Sequence, residues 1–331
     1  MENKPHIRII GTGGTIAFAG ESSADYEPEH LLSLGELLSP ADQVYLESVA
    51  RISGEELFAI GSTAITQNHW LLLAERLRQT LADDDIQGVV ITHGTDTMEE
   101  TAYLLHLLIS SEKPVIITGA MRSAASAFND GPANIRESVL AAAHPQSRSK
   151  GVLLISDGLI FSAREVIKSN THRIDAFNGG ESGCLGRILG NHLEYIYSPA
   201  KRFGKSSEFA TSPLPQNLAK VDIVYGYPES GISTYAAAVE AGAKGIVIAA
   251  SGAGIIHPEL CAYLQNNEHP PTVRASRVFG GGTAHDYLAE DSSLGTIAAG
   301  SLSPQKARVL LQLALNRTKD LEELRRIFQE Y

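Results

Sequence analysis

Short, uninterrupted runs of apolar residues alternate with helical patterns along most of the chain. The runs include GVVIT at 88–92, PVIIT at 114–118 and GVLLIS at 151–156, whereas Trp70–Leu81 and Thr97–Leu108 place apolar residues at helical spacing. Strands that are apolar on both faces are typical of a parallel sheet covered by helices. The alternation therefore predicts an α/β fold with a doubly wound, mostly parallel sheet.

One segment interrupts this rhythm. Residues 199–219 are rich in Pro, Ser, Lys and Gly and have no sustained apolar period, which is typical of a linker. A shorter strand–helix alternation follows and ends in two amphipathic helices, Pro304–Leu315 and Asp320–Phe328. We therefore predict a larger N-terminal domain over 1–198, a linker over 199–219 and a smaller C-terminal α/β domain over 220–331.

The charge balance limits the classes of partner. The chain has 27 basic and 38 acidic residues, a net charge of −11, with the basic residues scattered. Nucleic acids and anionic membranes draw most of their affinity from basic patches, so we expect neither as a partner. No apolar stretch is long enough to span a bilayer. The first residues run into a strand without an export signal, which predicts a cytoplasmic protein; a periplasmic form whose leader has been removed is the alternative.

The spacing of the cysteine and histidine residues indicates neither a metal site nor a disulfide framework. Cys184 and Cys261 are far apart and neither has a CxxC partner, so we interpret them as small buried hydrophobes, with a single bridge between them left open. The 11 histidines form no HExxH motif and no close pair with acidic neighbours. The sequence therefore predicts no bound metal.

Two loops that follow predicted strands carry glycine beside threonine. Gly13-Gly14-Thr15 follows Ile7–Ile10, and His93–Thr97 follows the strand at 88–92. Ligands of open parallel sheets bind outside the carboxyl ends of the strands, so these loops are the candidate site. The first loop lacks the third glycine of a dinucleotide fingerprint and the lysine of a phosphate loop, so we expect no nucleotide cofactor. Taken alone, this glycine cluster is typical of a tight turn.

The remaining chemistry is that of a hydroxyl nucleophile. The chain has no GxSxG motif, but a threonine can attack a carbonyl if a lysine or a tyrosine takes its proton. Lys168 and Tyr26 are candidates, although Lys168 is equally compatible with a surface lysine. The polar segment around Tyr26 is either a solvated loop or a lid over the site. We interpret His93 as a structural hydrogen-bonding residue.

Several motifs occur together in one order along nearly the whole chain. With them, the chain resembles the bacterial L-asparaginases, and among these the high-affinity group that includes the glutaminase-asparaginases. The motifs are TGGTIA at 12–17, IGS at 60–62, ITHGTDTMEE at 91–100, GAMR at 119–122, DGP at 130–132, the stretch from Arg164 to Thr171, and PQKARVLLQLAL at 304–315.

The resemblance implies hydrolysis of L-asparagine to L-aspartate and ammonia without a cofactor, with L-glutamine as a second substrate. By their motif positions, Thr15 would be the nucleophile that forms an acyl-enzyme, and Tyr26 its hydrogen-bonded partner on an N-terminal loop. Thr95 and Lys168 would form the second half of the catalytic site, with Lys168 helping to activate a hydroxyl or water near Thr95. Asp96 would pair with the α-ammonium group of the substrate.

The resemblance also implies the other substrate contacts. Ser62 would hold the α-carboxylate, together with Thr63, where many relatives have Gln. Ala120 would offer its backbone carbonyl to the amide nitrogen, and Thr95 and Asp96 would line the same pocket. A further departure is that Gly252–Ile255 lacks the Asn or Ser of many relatives, so the preference between asparagine and glutamine stays open.

The family assembles as a homotetramer, a dimer of dimers with each site completed by the neighbouring C-terminal domain. An acidic residue of the neighbour would join Thr15 and Tyr26. Glu290 is our choice from the stretch AHDYLAEDS, with Asp286 and Asp291 as competitors and an acidic surface loop as the alternative.

Two other functions are compatible with parts of this pattern. An amidase acting on glutamyl groups carried by tRNA would share this fold, but such enzymes add an N-terminal module, whereas this acidic chain starts at the first strand. A non-catalytic sensor of amino acids would keep Asp96 and Ser62 but would not need Thr15, Thr95 and Lys168 together.

Overall fold

A computed structural model of the chain describes residues 4–20, 32–210 and 213–331. The chain divides into two compact units, Met1–Leu214 and Pro215–Tyr331. Among the described residues, no helix is both long and apolar enough to cross a membrane. Cys184 and Cys261 are both free thiols, so the bridge that the sequence left open is not formed.

The first unit is built on a large sheet flanked by helices. Its strands are β1 (His6–Gly11), β2 (Arg51–Glu56), β3 (Gly88–Thr92), β4 (Val115–Thr118), β5 (Val152–Ser156), β6 (Leu159–Ser162), β7 (Ile167–Lys168), β8 (Phe177–Asn178), β9 (Gly186–Leu189) and β10 (His192–Tyr195). Its helices are α1 (Leu34–Leu37), α2 (Pro40–Val49), α3 (Gln67–Ala82), α4 (Met98–Leu108) and α5 (Gly131–Ala143).

The direction in which successive strands are added to the sheet reverses between β1 and β3. Eight strands pair in the order β10-β9-β6-β5-β4-β3-β1-β2, and β7 pairs separately with β8. The five strands from β5 to β2 in this order are parallel, and β6, β9 and β10 extend the sheet with antiparallel pairing. The chain steps from β1 outward to β2 and then returns to the other side of β1 as β3. Such a switch point opens a crevice at the carboxyl ends of the two strands.

The central strands of the sheet lie in the hydrophobic core of the first unit. Strands β3, β4 and β5 are buried along their whole length, because helices cover both faces of the sheet. Fully burying each large aliphatic side chain, such as Val90, Ile116 or Leu153, contributes about 1.5–3 kcal/mol. Trp70 on α3 is also buried, and its indole Nε1 donates to Thr101 Oγ1 of α4 at 2.8 Å.

The hairpin after β5 follows from its turn residues. Asp157 and Gly158 both have positive φ, 51° and 72°, and they connect β5 to the antiparallel β6. An Asp-Gly pair with two positive φ angles is the preferred two-residue hairpin turn, since its twist matches that of the strands.

The second unit is a smaller parallel sheet. Its strands β11 (Val221–Tyr225), β12 (Gly245–Ala250), β13 (Thr272–Ser276) and β14 (Thr296–Ala298) lie side by side in chain order. Its helices are α6 (Ser233–Glu240), α7 (Pro258–Asn266), α8 (Asp291–Leu294), α9 (Pro304–Leu315) and α10 (Leu321–Glu330). The mixed fold class with a larger first sheet and a smaller second α/β unit is confirmed.

The stretch at 199–219 spans the boundary between the units. Ser207 Oγ donates to the carbonyl of Leu107 on α4 at 2.7 Å, and Phe209 is buried. Part of this stretch therefore packs on the first unit.

A fully buried ion pair holds the second unit together. Arg274 of β13 donates to both carboxylate oxygens of Asp291 at 3.0 and 2.6 Å, and neither side chain is exposed. Thr296 Oγ1 donates to the same carboxylate at 2.6 Å, and Arg274 also donates to the carbonyls of Ala253 and Ala284. The pair thus joins β13, α8 and β14 to two loops. Burial opposes the ionisation of Asp291, but the hydrogen bonds from Arg274 and Thr296 outweigh it and hold its pKa below the ordinary value.

Replacing Asp291 is expected to destabilise the protein strongly. Asp291→Asn keeps the shape but leaves the Arg274 charge uncompensated in the interior, which costs about 3–5 kcal/mol. Urea denaturation followed by circular dichroism measures the loss. Because the pKa of Asp291 is lowered, its stabilisation is present above the unfolded value of about 4 and is lost as the pH falls below it, so the variant lacks this acid-dependent component.

The control is Glu322 on α10, a carboxylate that is 78% exposed and pairs with Arg325. Glu322→Gln is expected to change the free energy of unfolding by less than about 1 kcal/mol, because water screens the exposed carboxylate. Equal effects of the two substitutions would show that the Arg274 pair is not special.

Candidate active site

The two loops selected from the sequence lie side by side at the reversal of the first sheet. Strands β1 and β3 pair so that Gly11 is opposite Thr92, and the loops follow directly. The backbone N–H and the Oγ1 of Thr12 both donate to the carbonyl of Thr92, at 3.0 and 2.8 Å. These bonds fix one loop against the other at the crevice of the switch point.

Glycine is required where the loops touch. Gly14 has φ +89°, and a Cβ atom built on it would lie only 2.3 Å from the backbone nitrogen of Gly94. Neither the dihedral angle nor the space admits a side chain. The next residues, Thr15 and Thr95, are therefore held on adjacent turns, Thr15 half-buried and Thr95 buried.

Lys168 joins the second of these turns. Its Nζ lies 2.8 Å from Thr95 Oγ1 and 2.6 Å from Asp96 Oδ1. The lysine side chain is only 14% exposed, whereas that of Asp96 is 59% exposed. The ammonium group of a half-buried lysine thus contacts a hydroxyl on one side and a carboxylate open to ligands on the other.

Glu99 also belongs to this group, although the sequence analysis gave it no role. It lies in the first turn of α4 and is almost fully buried, and its Oε2 accepts the backbone N–H of Lys168 at 2.5 Å. An acidic residue in the first turn of a helix was the only signal in the sequence, and that pattern is usually a response to the helix dipole.

Ser62 contacts the second threonine loop, His93–Thr97. It is buried, its Oγ accepts the N–H of Asp96 at 3.2 Å, and its carbonyl accepts Thr97 Oγ1 at 2.9 Å. A Cβ on Gly94 would lie 2.8 Å from Ser62 Oγ, so the two segments are in direct contact. Thr63 follows on the same short turn and is exposed.

The loop after β4 brings Ala120 to the same edge. A Cβ on Gly119 would lie 2.5 Å from the carbonyl of His93, so this loop packs against the second threonine loop. Asp130 accepts the N–H groups of Met121 and Arg122 at 3.0 Å each. Asn134 donates to the carbonyl of Gly119 at 2.9 Å. Asp130 and Asn134 set the path of the Ala120 loop, and sequence reasoning had assigned neither a role.

His93 is neutral and structural in this arrangement. Its Nδ1 donates to the Gly94 carbonyl at 2.7 Å, because a carbonyl can only accept. Complete burial lowers its pKa to about 4, against the opposing effect of that hydrogen bond. It is therefore uncharged at neutral pH.

Two predicted site residues are not among the described residues of the first unit. Tyr26 is outside the described residues. Glu290 belongs to the second unit, where it is exposed and accepts Ser293 Oγ at 3.1 Å. Of its competitors, Asp286 is exposed and bonded to Ser292, whereas Asp291 is committed to the buried pair with Arg274.

One group in the described part of the chain has the spacing of a cation site. It consists of His285, Asp286 and Asp291. The guanidinium of Arg274 already lies 2.6 Å from Asp291, so a cation there would meet a fixed positive charge.

The arrangement at the switch point suits a small zwitterion with a reactive carbonyl. It combines an exposed carboxylate for an ammonium group, hydroxyl and backbone N–H donors for oxygen atoms, and a threonine hydroxyl held by a lysine. No part of it requires a nucleotide.

Comparison with known proteins agrees with this chemistry. The family model described as "Asparaginase, N-terminal" matches residues 6–201, and the model described as "Glutaminase/Asparaginase C-terminal domain" matches 220–328. L-asparaginase 2 of Bacillus subtilis is 39% identical over 99% of this chain and 87% of its own length. A glutaminase-asparaginase of Pseudomonas aeruginosa is 36% identical over 98% of this chain and 90% of its own length.

A solved structure is similar over the whole length. The crystal structure described as a probable cytoplasmic L-asparaginase from Campylobacter jejuni is 39% identical, with a TM-score of 0.88, and covers 99% of this chain and 100% of its own. The chain belongs to the asparaginase family.

Proposed function

We propose that the protein is an L-asparaginase that hydrolyses L-asparagine to L-aspartate and ammonia. The observation that carries the proposal is the contact of the Lys168 ammonium with Thr95 and Asp96, beside the Gly14-Thr15 turn at the switch point. Family membership over both units supports it.

Thr15 is the proposed nucleophile. Its Oγ1 attacks the side-chain amide carbon, and the backbone N–H groups of the two glycine loops face the developing oxyanion. The C–N bond then breaks, the hydroxyl proton passes to the departing nitrogen, and ammonia leaves an ester on Thr15. Water hydrolyses this ester to release L-aspartate and restore the hydroxyl. Tyr26 is the proposed partner of Thr15 in the first proton transfer.

Thr95 and Lys168 are proposed to assist proton transfer in the second step, in which water hydrolyses the ester. Lys168 is within hydrogen-bond distance of Thr95 Oγ1, so the pair can orient or activate a hydroxyl or water close to the ester. The reaction needs no histidine. The neutral His93 is consistent with that, since its imidazole Nδ1 donates to the Gly94 carbonyl.

Recognition of the substrate is assigned to groups around the same loop. Asp96 pairs with the α-ammonium, and Ser62 and Thr63 hold the α-carboxylate. Ala120 offers its carbonyl to the amide nitrogen. Glutamine is longer by one methylene, and a pocket distinguishes one methylene by only about 1–3 kcal/mol, so we expect glutaminase activity as a side reaction.

We further propose a homotetramer, a dimer of dimers, in which Glu290 of one copy completes the site of the next. We place the protein in the cytoplasm, as the Campylobacter jejuni neighbour is described.

Removing either threonine hydroxyl is expected to abolish turnover. Thr15→Ala and Thr95→Ala should each lower kcat by about 10³-fold or more, because each removes a group that acts in the transition state. Ammonia release from asparagine and from glutamine measures the effect, and Thr234→Ala, at an exposed position of α6, is the control. Full activity in both variants would exclude the mechanism, and ligand-induced stabilisation without product would indicate a sensor.

Lys168→Met is expected to lower kcat by about 10²–10⁴-fold with the fold intact, because it removes the charge beside Thr95. The matched control is Lys150→Met, since the half-buried Lys150 also donates its ammonium to a hydroxyl, that of Ser198, but belongs to neither threonine loop. Steady-state ammonia release and a thermal melt on the same samples separate activity from folding. Equal rates in both variants would remove Lys168 from the mechanism.

The shared site can be tested by complementation. Thr15→Ala and Glu290→Gln should each be inactive alone. Co-expressed, they should regain about a quarter of the wild-type activity, because half of the dimers are mixed and each mixed dimer rebuilds one of its two sites. Sedimentation velocity checks that the mixed species is oligomeric. No recovery in mixed oligomers would mean that Glu290 does not act across the interface.

A further inference from the structure

Lys168 is placed by a short and weakly supported strand. Strand β7 consists of Ile167 and Lys168, paired with the two residues of β8, and the following residue, Ser169, adds one backbone bond to Ala176. A two-residue ladder gives little rigidity by itself. The side chain of Lys168 adds four rotatable bonds between the backbone and the ammonium group. The proposed chemistry nevertheless depends on where that ammonium group lies relative to Thr95 Oγ1.

Glu99 restricts the position of the Lys168 backbone. Its buried Oε2 accepts the Lys168 N–H at 2.5 Å, across 69 residues of sequence. Within the described residues, Lys168 Nζ also contacts two acceptors, Thr95 Oγ1 and Asp96 Oδ1. All three acceptors come from the five residues Thr95–Glu99, at the start of α4. The lysine is thus tied to one rigid segment at its backbone end and at its ammonium end.

We propose that Glu99 is a positioning residue for the amidohydrolase reaction: its carboxylate anchors the backbone of Lys168 so that Nζ meets Thr95 Oγ1. This inference rests on the proposed function. Glu99 does not contact substrate in this scheme, and it acts only through Lys168. A displacement of about 1 Å at a reacting group can cost about 10²-fold in rate, so an anchor of this kind matters for kcat.

Three substitutions separate the anchor from general packing. Glu99→Met keeps the length of the side chain without an oxygen, and it should lower kcat by about 10–100-fold while changing KM by less than about 3-fold. Glu99→Gln keeps an acceptor oxygen and should stay within about 3-fold of wild type. Glu100→Gln removes the same charge from the same helix turn and should leave the rate unchanged.

A double-mutant cycle gives the decisive readout. If Glu99 acts only through Lys168, Glu99→Met should cause no further loss in the Lys168→Met background. A loss of the same size in both backgrounds, or a Glu99→Gln variant as slow as Glu99→Met, would overturn the proposal. Should Glu99→Met fail to fold, Glu99→Gln carries the test: near-wild-type turnover supports the anchor, and a large loss that persists without Lys168 refutes it. An inactive wild type would overturn the proposed function as well, whereas an active wild type with unaffected Glu99→Met would overturn only the role of Glu99.

Discussion

The close approach of two backbones at the end of β1 and β3 is the constraint on which the site depends. Gly14 and Gly94 are in contact without side chains between them, so the residues that follow, Thr15 and Thr95, lie on neighbouring turns. The strand order makes this approach possible, because only at the reversal do two loops leave the sheet in opposite directions. Ser62 and the Ala120 loop pack against this pair of turns.

Much of the fold follows from periodicity, since burial on both faces leaves a clear pattern. Strand β3 and helix α9 begin and end where the sequence predicted them. The edge of the sheet does not leave such a pattern. Strand β2, RISGEE, has no fully buried residue and carries three charges, so it was missed together with α2 before it. Both depend on tertiary pairing with β1 and α5 and not on local propensity.

The site was predictable to the extent that its residues lie at strand ends or in long motifs. The strand-end argument and the family resemblance both selected Thr15 and Thr95, and the structure brings Lys168 to Thr95. Glu99, Asp130 and Asn134 were not foreseen, because their roles come from hydrogen bonds to backbone groups distant in sequence. Such bonds produce no regular spacing of residue types along the chain, so a sequence pattern cannot reveal them. Tyr26 and Glu290 remain predictions.

The chain has one tryptophan, and its position has an optical consequence. Trp70 is buried in the first unit with its indole bonded to Thr101, on the helix that begins beside Thr95. Emission excited selectively from this tryptophan therefore reports the environment of α3 and α4 in the first unit. A change in the second unit that left the surroundings of these helices intact would not alter that emission.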